Sequence, residues 1–240
     1  MRGYHYILTA SFNLKDLDKL KSHLADLEHY RKSNYAKFNE NSKIFSFLYV
    51  HWARLNVHFL EGTFKEGLVF LPRTLRRIKL YKERIAPHRL MVFYYKIAWM
   101  YLGNNQPGKA VKYISKIIND EIEDFREDIQ SYSRFVFLMA HYDLDNMELL
   151  PYLVRTVDAH FKKTKVQNKL QLRSLQFFKK IQNVAISDRI EVLQSFREDL
   201  EIIYKDPYEL RAFLYLDILS WVTAKLERQN TMKGMIMSNL

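Results

Sequence analysis

The amino-acid sequence predicts an all-α fold, a row of helical hairpins stacked as an α-solenoid, and three observations carry that expectation. Apolar residues recur every three or four positions, as Leu14, Leu17, Leu20, Leu24 and Leu27 do, which places one stripe on one helix face. Sustained period-two alternation between Gly or Asn-Gly turns, the mark of strands, is missing from the 240 residues. An aromatic-rich helix, a tight polar turn and a second helix recur in sequence, with turns at 58–67, 101–110 and 141–150.

The spacing predicts about eleven helices, at 2–12, 14–33, 42–61, 63–85, 87–102, 107–119, 124–143, 146–163, 167–183, 188–205 and 207–228. Thr63 with Glu66 forms a capping-box pattern at the fourth, and Asp188 with Glu191 repeats that logic at the tenth. Pro87, Pro107 and Pro207 suit first-turn positions, where a missing N–H leaves no bond unmade. Pro151 is tolerable near a helix start, whereas Pro72 should kink its helix or end the first part of it. The last helix, from Tyr208 to Trp221, is apolar on most sides, as expected of a helix buried between neighbours or lying in a groove. The short first helix, straight after Met1, reads as entry partway into an array, as in a piece of a longer protein.

Gly62, Asn105 and Asp145 fall at equivalent places in the three turns, and these residue types best tolerate a left-handed backbone. Gly67, Ala110 and Leu150 then follow with spacings of 43 and 40, and a fourth unit runs from Val166 to Lys205. In the second unit, Tyr94-x-x-Ile97-Ala98-x-x-Tyr101 followed by Ala110-x-x-x-Ile114 resembles the tetratricopeptide repeat pattern. Ala98 and Ala110 stand where that family brings paired helices close, with Tyr94 and Tyr101 beside them. The first unit fits more loosely, with Gly67 at one small position but Leu55 at the other; in the third, Leu138 and Leu150 occupy both. The family's repeat is about 34 residues, whereas these units run to about 40 and lack its closing proline after Ile117. The resemblance implies a tetratricopeptide-like superhelix of four to five helix pairs, bounded at 1–40, 41–86, 87–123, 124–165 and 166–206. A capping helix at 207–228 and a flexible tail at 229–240 complete that expectation.

Composition narrows the function. With 16 Tyr, 16 Phe and 3 Trp the chain is too aromatic for intrinsic disorder, and 6 Gly with 5 Pro exclude collagen-like repeats. The absence of Cys excludes disulfide scaffolds, thiol catalysis, Cys-ligated zinc and iron–sulfur clusters. The start of the chain has no sustained apolar segment, and the run Phe135–Ala140 is far short of the roughly 18 residues a membrane helix needs. A soluble, cytoplasmic protein without a membrane partner is expected. The net charge of +11 is concentrated in two places. One holds Arg73, Arg76, Arg77, Lys79, Lys82, Arg84 and Arg89 against Glu83; the other holds Lys162, Lys163, Lys165, Lys169, Arg173, Lys179 and Lys180. An acidic stretch of Asp120, Glu121, Glu123, Asp124, Glu127 and Asp128 lies between them.

In tetratricopeptide arrays the first helix of each pair lines the concave surface. The resemblance therefore implies a partner-binding face of Tyr49, Trp52, Asn56, Phe59, Tyr95, Trp99, Leu102, Tyr132, Phe135, Met139 and Tyr142. Aromatic anchors with Met and Asn suit peptide recognition; the competing reading makes the same stripe core, covered by longer helices or by the segment around Trp221. On a helical wheel Arg73, Arg76, Arg77 and Arg84 cluster opposite Leu71, Leu75, Ile78 and Ile85, either a solvated outer face or a patch for an acidic partner or nucleic acid. His51 and His58 share a helix face, but the sequence supplies no three- or four-ligand set, so packed or hydrogen-bonded histidines are expected. His88-Arg89 after Pro87 suits a cap or interface, and Asp217 is expected to be buried and hydrogen-bonded to a neighbouring helix. No nucleophile elbow or phosphate-cradling glycine loop occurs. The leading expectation is a non-enzymatic scaffold, without cofactor or metal, for a protein or peptide partner. A nucleic-acid-associated helical repeat and a repeat sensor gated by a small ligand near Asn56 are the alternatives.

Overall fold

A computed structural model of the chain describes residues 1–33, 39–119, 126–164 and 167–237, and all regular structure among them is helical. The chain divides into two compact units, Met1–Arg126 and Glu127–Leu240.

The first unit contains α1 (Arg2–Asn13), α2 (Leu17–Lys32), α3 (Glu40–Glu61), α4 (Phe64–Val69), α5 (Leu71–Tyr81), a 3-10 turn (Lys82–Arg84), α6 (Pro87–Gly103) and α7 (Pro107–Ile118). Helix α1 packs on α2, α3 on α4, and α6 on α7; α2 and α1 both touch α3, while α4 and α3 both touch α6. Each hairpin thus covers the apolar flank of the next, which is how helices with one apolar stripe become stable in water. The buried layer includes Leu20, Leu27, Phe47, Leu48, Leu55, Leu71, Phe93, Ile97, Ala98, Ala110 and Ile114.

Local chemistry sets the helix ends. The Asp16 carboxylate accepts the Lys19 N–H at 3.0 Å and starts α2, and the Asn39 side chain accepts the Asn41 N–H at 2.8 Å to start α3. Pro87 and Pro107 occupy first turns. The expected helix 63–85 is divided at Phe70, with Pro72 in the first turn of its second part. Thr63 does not form the capping box: its hydroxyl lies 2.7 Å from His58 Nδ1 and donates to Glu61 Oε2 at 3.2 Å, so it is engaged in the preceding turn. Gly67 is where two helices meet closely. A Cβ there would lie 2.0 Å from Met100 Cε and 3.1 Å from His58 Cβ.

The hairpin turns share one geometry. Gly62, Asn105 and Asp145 have φ of 69°, 55° and 55°, and Lys15, between α1 and α2, also has φ 55°. In all four, the following N–H bonds the carbonyl five residues back: Asp16 to Ser11, Thr63 to His58, Gln106 to Tyr101 and Asn146 to His141, at 2.8–3.1 Å. The Lys15 turn escaped sequence reading because lysine does not signal a left-handed residue.

The second unit contains α8 (Glu127–Asp143), α9 (Leu150–Thr164), α10 (Lys169–Ile181), a 3-10 turn (Ile186–Asp188), α11 (Arg189–Tyr204), α12 (Leu210–Tyr215) and α13 (Ile218–Met237). Helix α8 packs on α9 and α10, α9 on α10, α10 on α11, and α11 on α13. Phe177 and Phe196 stack 4.1 Å apart between α10 and α11, and Phe135 stacks on Phe161 at 5.3 Å between α8 and α9. The capping box falls at Asn168 and Gln171, where both reciprocal bonds form. Asp188 makes no such cap and instead accepts the Ser187 hydroxyl at 2.6 Å.

Three expectations are corrected in this unit. The helix placed at 207–228 is broken at Leu216, whose backbone is extended, and Pro207 lies in the turn before α12. Asp217 is exposed, and its carboxylate accepts the Ser220 N–H at 3.3 Å to start α13, so it is a cap and not a buried acid. Helix α13 continues to Met237, past the expected end at 228. Its anchor is Asp143, which accepts Trp221 Nε1 on both oxygens at 3.2 Å and pairs with Lys225 Nζ at 2.6 Å. Asp120, Glu121, Glu123, Asp124 and Lys165 lie outside the described residues.

Because lysine is strained in a left-handed conformation that glycine adopts freely, Lys15→Gly should raise stability by about 0.5–1 kcal/mol in urea unfolding. Gly62→Val, at φ 69°, should lower it by about 1–2 kcal/mol. Equal effects of both changes would contradict the shared turn geometry.

Candidate functional site

The aromatic stripe is largely core. Tyr49, Trp52, Asn56, Tyr95, Leu102, Tyr132, Phe135 and Met139 are buried, and Phe59, Trp99 and Tyr142 are half-buried. The chain covers the stripe with its own helices. In the first unit the His5 ring of α1 stacks on Tyr49 at 4.5 Å and meets Trp52 at 5.7 Å. Arg89, the residue after His88, donates to Tyr49 Oη at 3.1 Å and lies 4.8 Å over the Phe45 ring, a packing role at the start of α6. Asn56 Oδ1 accepts Lys96 Nζ at 2.6 Å, and that ammonium sits 5.1 Å from the Phe12 ring and 5.6 Å from the Phe59 ring. Desolvation, aided by Arg126, lowers the Lys96 pKa to about 8. The polar group expected to receive a small ligand is thus committed to a lysine. In the second unit Tyr215 stacks on Tyr132 at 5.3 Å, and Trp221 meets Tyr142 edge-on at 5.5 Å. The binding-face expectation is therefore corrected: helical periodicity marks a face that is covered without saying what covers it.

The basic residues of α5 and the 3-10 turn after it separate. Arg84, in that turn, pairs with Glu40, and Arg76 is exposed and takes no part in the cleft lined by Arg73 and Arg77. Arg73 and Arg77, one turn apart, line a cleft of ≈ 440 Å³ together with Glu28, Arg31 and Lys32 from α2, His51 and Arg54 from α3, and Phe70 at the α4–α5 break. Arg31, Lys32 and Arg54 were missed in sequence because they come from other helices, and no local window shows that they converge.

His51 occupies the floor. Thr74 Oγ1 lies 3.0 Å from His51 Nδ1 and 3.1 Å from the Phe70 carbonyl, so one hydroxyl ties the ring to the α4–α5 break. Burial lowers the His51 pKa to about 3, and Arg54, Arg31, Arg77 and Arg73 each push in the same direction. Four guanidinium groups therefore act on one neutral imidazole. Arg31 is itself pushed below its usual pKa, first by desolvation, then by Arg77 and Arg54. Glu28 answers one of them: Arg54 Nε and Nη2 reach its Oε1 at 2.8 Å each. Arg77 lies 5.9 Å over the Phe47 ring.

The other basic stretch differs in kind. Lys162 and Lys179 share Asp158 at 3.0 and 2.7 Å, Lys169 pairs with Asp206 at 2.6 Å, and Arg173 pairs with Asp199. These four cations sit in solvated ion pairs with three aspartates. Among the described residues no group of three His, Asp or Glu side chains is placed to hold a metal, and no helix is long and apolar enough to cross a membrane. His58 is bonded to Thr63, as His51 is to Thr74.

Comparison with protein-family models, curated proteins and solved structures finds no match for the chain. What the cleft can do must come from its own chemistry, and His51 gives a direct handle on that chemistry. Its folded pKa of about 3 lies below the ordinary 6.5, so unfolding takes up a proton between those values and stability falls as pH is lowered through that range. Urea unfolding from pH 6.5 to 3 should show an acid slope shallower by roughly 1 kcal/mol per pH unit in His51→Gln than in the native chain. Identical slopes would mean that the ring is not held neutral by the cluster.

Proposed function

We propose that the chain is a non-enzymatic interaction module, a tetratricopeptide-like row of helical hairpins, that docks an acidic segment of a partner protein in the basic cleft of its first unit. One observation carries the proposal: among the described residues five cationic side chains and a single carboxylate line one cleft. Like charges gathered in partly desolvated surroundings repel, and a segment rich in Asp or Glu would relieve that repulsion on docking. The burial of the aromatic stripe moves the expected docking place from the stripe to this cleft. A nucleic-acid partner is less favoured, because Lys162, Lys169, Arg173 and Lys179 of the second basic stretch already pair with Asp158, Asp199 and Asp206.

Fluorescence anisotropy with a labelled oligoglutamate peptide provides the test. Binding should weaken as salt rises, fall at least about tenfold in Arg73→Glu/Arg77→Glu, and be unchanged in Lys162→Glu. Absence of binding at low salt, or equal loss in both variants, would overturn the proposal.

A further inference from the structure

Resting on the docking reading above, we infer that the cleft recognises a phosphate monoester carried by the docked segment, as on a phosphorylated serine or threonine, and not carboxylates alone.

Convergence is the first argument. Arg31, Arg54, Arg73 and Arg77 all line the same cleft and all act on the imidazole within it, so their charges are gathered at one locus and not strung along a track. Carboxylates on one side of an extended peptide stand about 7 Å apart, with one charge each. A phosphate monoester puts nearly two charges and three acceptor oxygens on a single tetrahedron. Such a locus is matched by the phosphate and only partly used by a glutamate.

The second argument comes from counting what is already engaged. Glu28 occupies the fork of Arg54 and makes it a wall of the cleft. Among the described residues Arg31, Arg73 and Arg77 form no ion pair, which leaves three planar forks and the Lys32 ammonium for the ligand. Guanidinium groups keep their charge when partly desolvated and pair bidentately with phosphate oxygens, which an ammonium does as a point charge only. His51 adds no charge to this surplus, because burial and the surrounding guanidinium groups keep its imidazole neutral.

Size and apolar lining select the source of the phosphate. A cleft of ≈ 440 Å³ exceeds a single phosphate ion severalfold and falls in the range that holds a larger ligand fragment. Phe70 supplies an apolar wall, held between the His51 and His58 rings at 5.8 and 5.9 Å, against which a neighbouring side chain of the segment can pack.

The test uses the full chain and three labelled glycine–serine peptides of one sequence, with phosphoserine, glutamate or unmodified serine at the centre, by anisotropy at constant ionic strength. The phosphoserine peptide should bind at least about tenfold tighter than the glutamate peptide, and the serine peptide more weakly still. Arg73→Lys, which keeps the charge but not the fork, should narrow the preference severalfold while leaving the melting temperature unchanged. Equal binding of the phosphoserine and glutamate peptides overturns this inference but leaves acidic docking intact. Loss of oligoglutamate binding as well overturns both. Inorganic phosphate competing as well as the phosphopeptide would show that no segment is required, and tighter binding of a single-stranded oligonucleotide would assign the cleft to nucleic acid; either result overturns the inference.

Discussion

Four guanidinium groups gathered around one neutral imidazole are the constraint on which the functional account turns. Free in water, such groups would separate, because nothing is gained by holding like charges together. Here the backbone holds them. Leu27 is buried on α2, Leu48 and Leu55 on α3, and Leu71 and Ile78 on α5, so the opposite faces of these helices have no freedom to turn away. The apolar layer sets the positions, and the basic side chains occupy what it leaves. The same packing desolvates His51 and Arg31, so the charge stays concentrated instead of being diluted by solvent.

The hairpin plan supplies that packing. In the first unit successive hairpins pack on one another, α1 and α2 on α3 and α3 and α4 on α6, while in the second α13 reaches back to Asp143 at the end of α8. The recurring left-handed turn at Lys15, Gly62, Asn105 and Asp145 sends the chain back on itself each time with the same pair of closing bonds. Because α1 lies over Tyr49 and Trp52, and α12 and α13 over Tyr132 and Tyr142, the aromatic stripe of each unit is filled from within.

Much of this was legible in sequence because helices announce themselves by period and by punctuation. Pro72 marked the break in the fourth predicted helix, and Gly62, Asn105 and Asp145 marked turns, since each reports a backbone requirement of its own residue. Thr63 and Asp188 misled, because a hydroxyl or carboxylate with several donors in reach chooses by geometry that a four-residue pattern does not contain. The break at Leu216 carries no proline or glycine and comes from tertiary packing, with Leu216 and Ile218 fully buried on either side of an exposed Asp217. The candidate site was half visible. Arg73 and Arg77 share a helix face, but Arg31 and Arg54 join them only through packing between helices that are remote in sequence.

If the guanidinium cluster is a surplus kept for a ligand, it does not stabilise the fold, and removing one exposed member should cost nothing. The most direct measurement is therefore urea unfolding of Arg73→Gln beside the native chain at low and high salt. The account predicts a variant at least as stable as the native chain at low salt, by up to about 1 kcal/mol, with the difference vanishing near 1 M salt as the repulsion is screened. A variant less stable by more than about 1 kcal/mol at either salt would show Arg73 to be a structural member of the first unit, and would contradict the account.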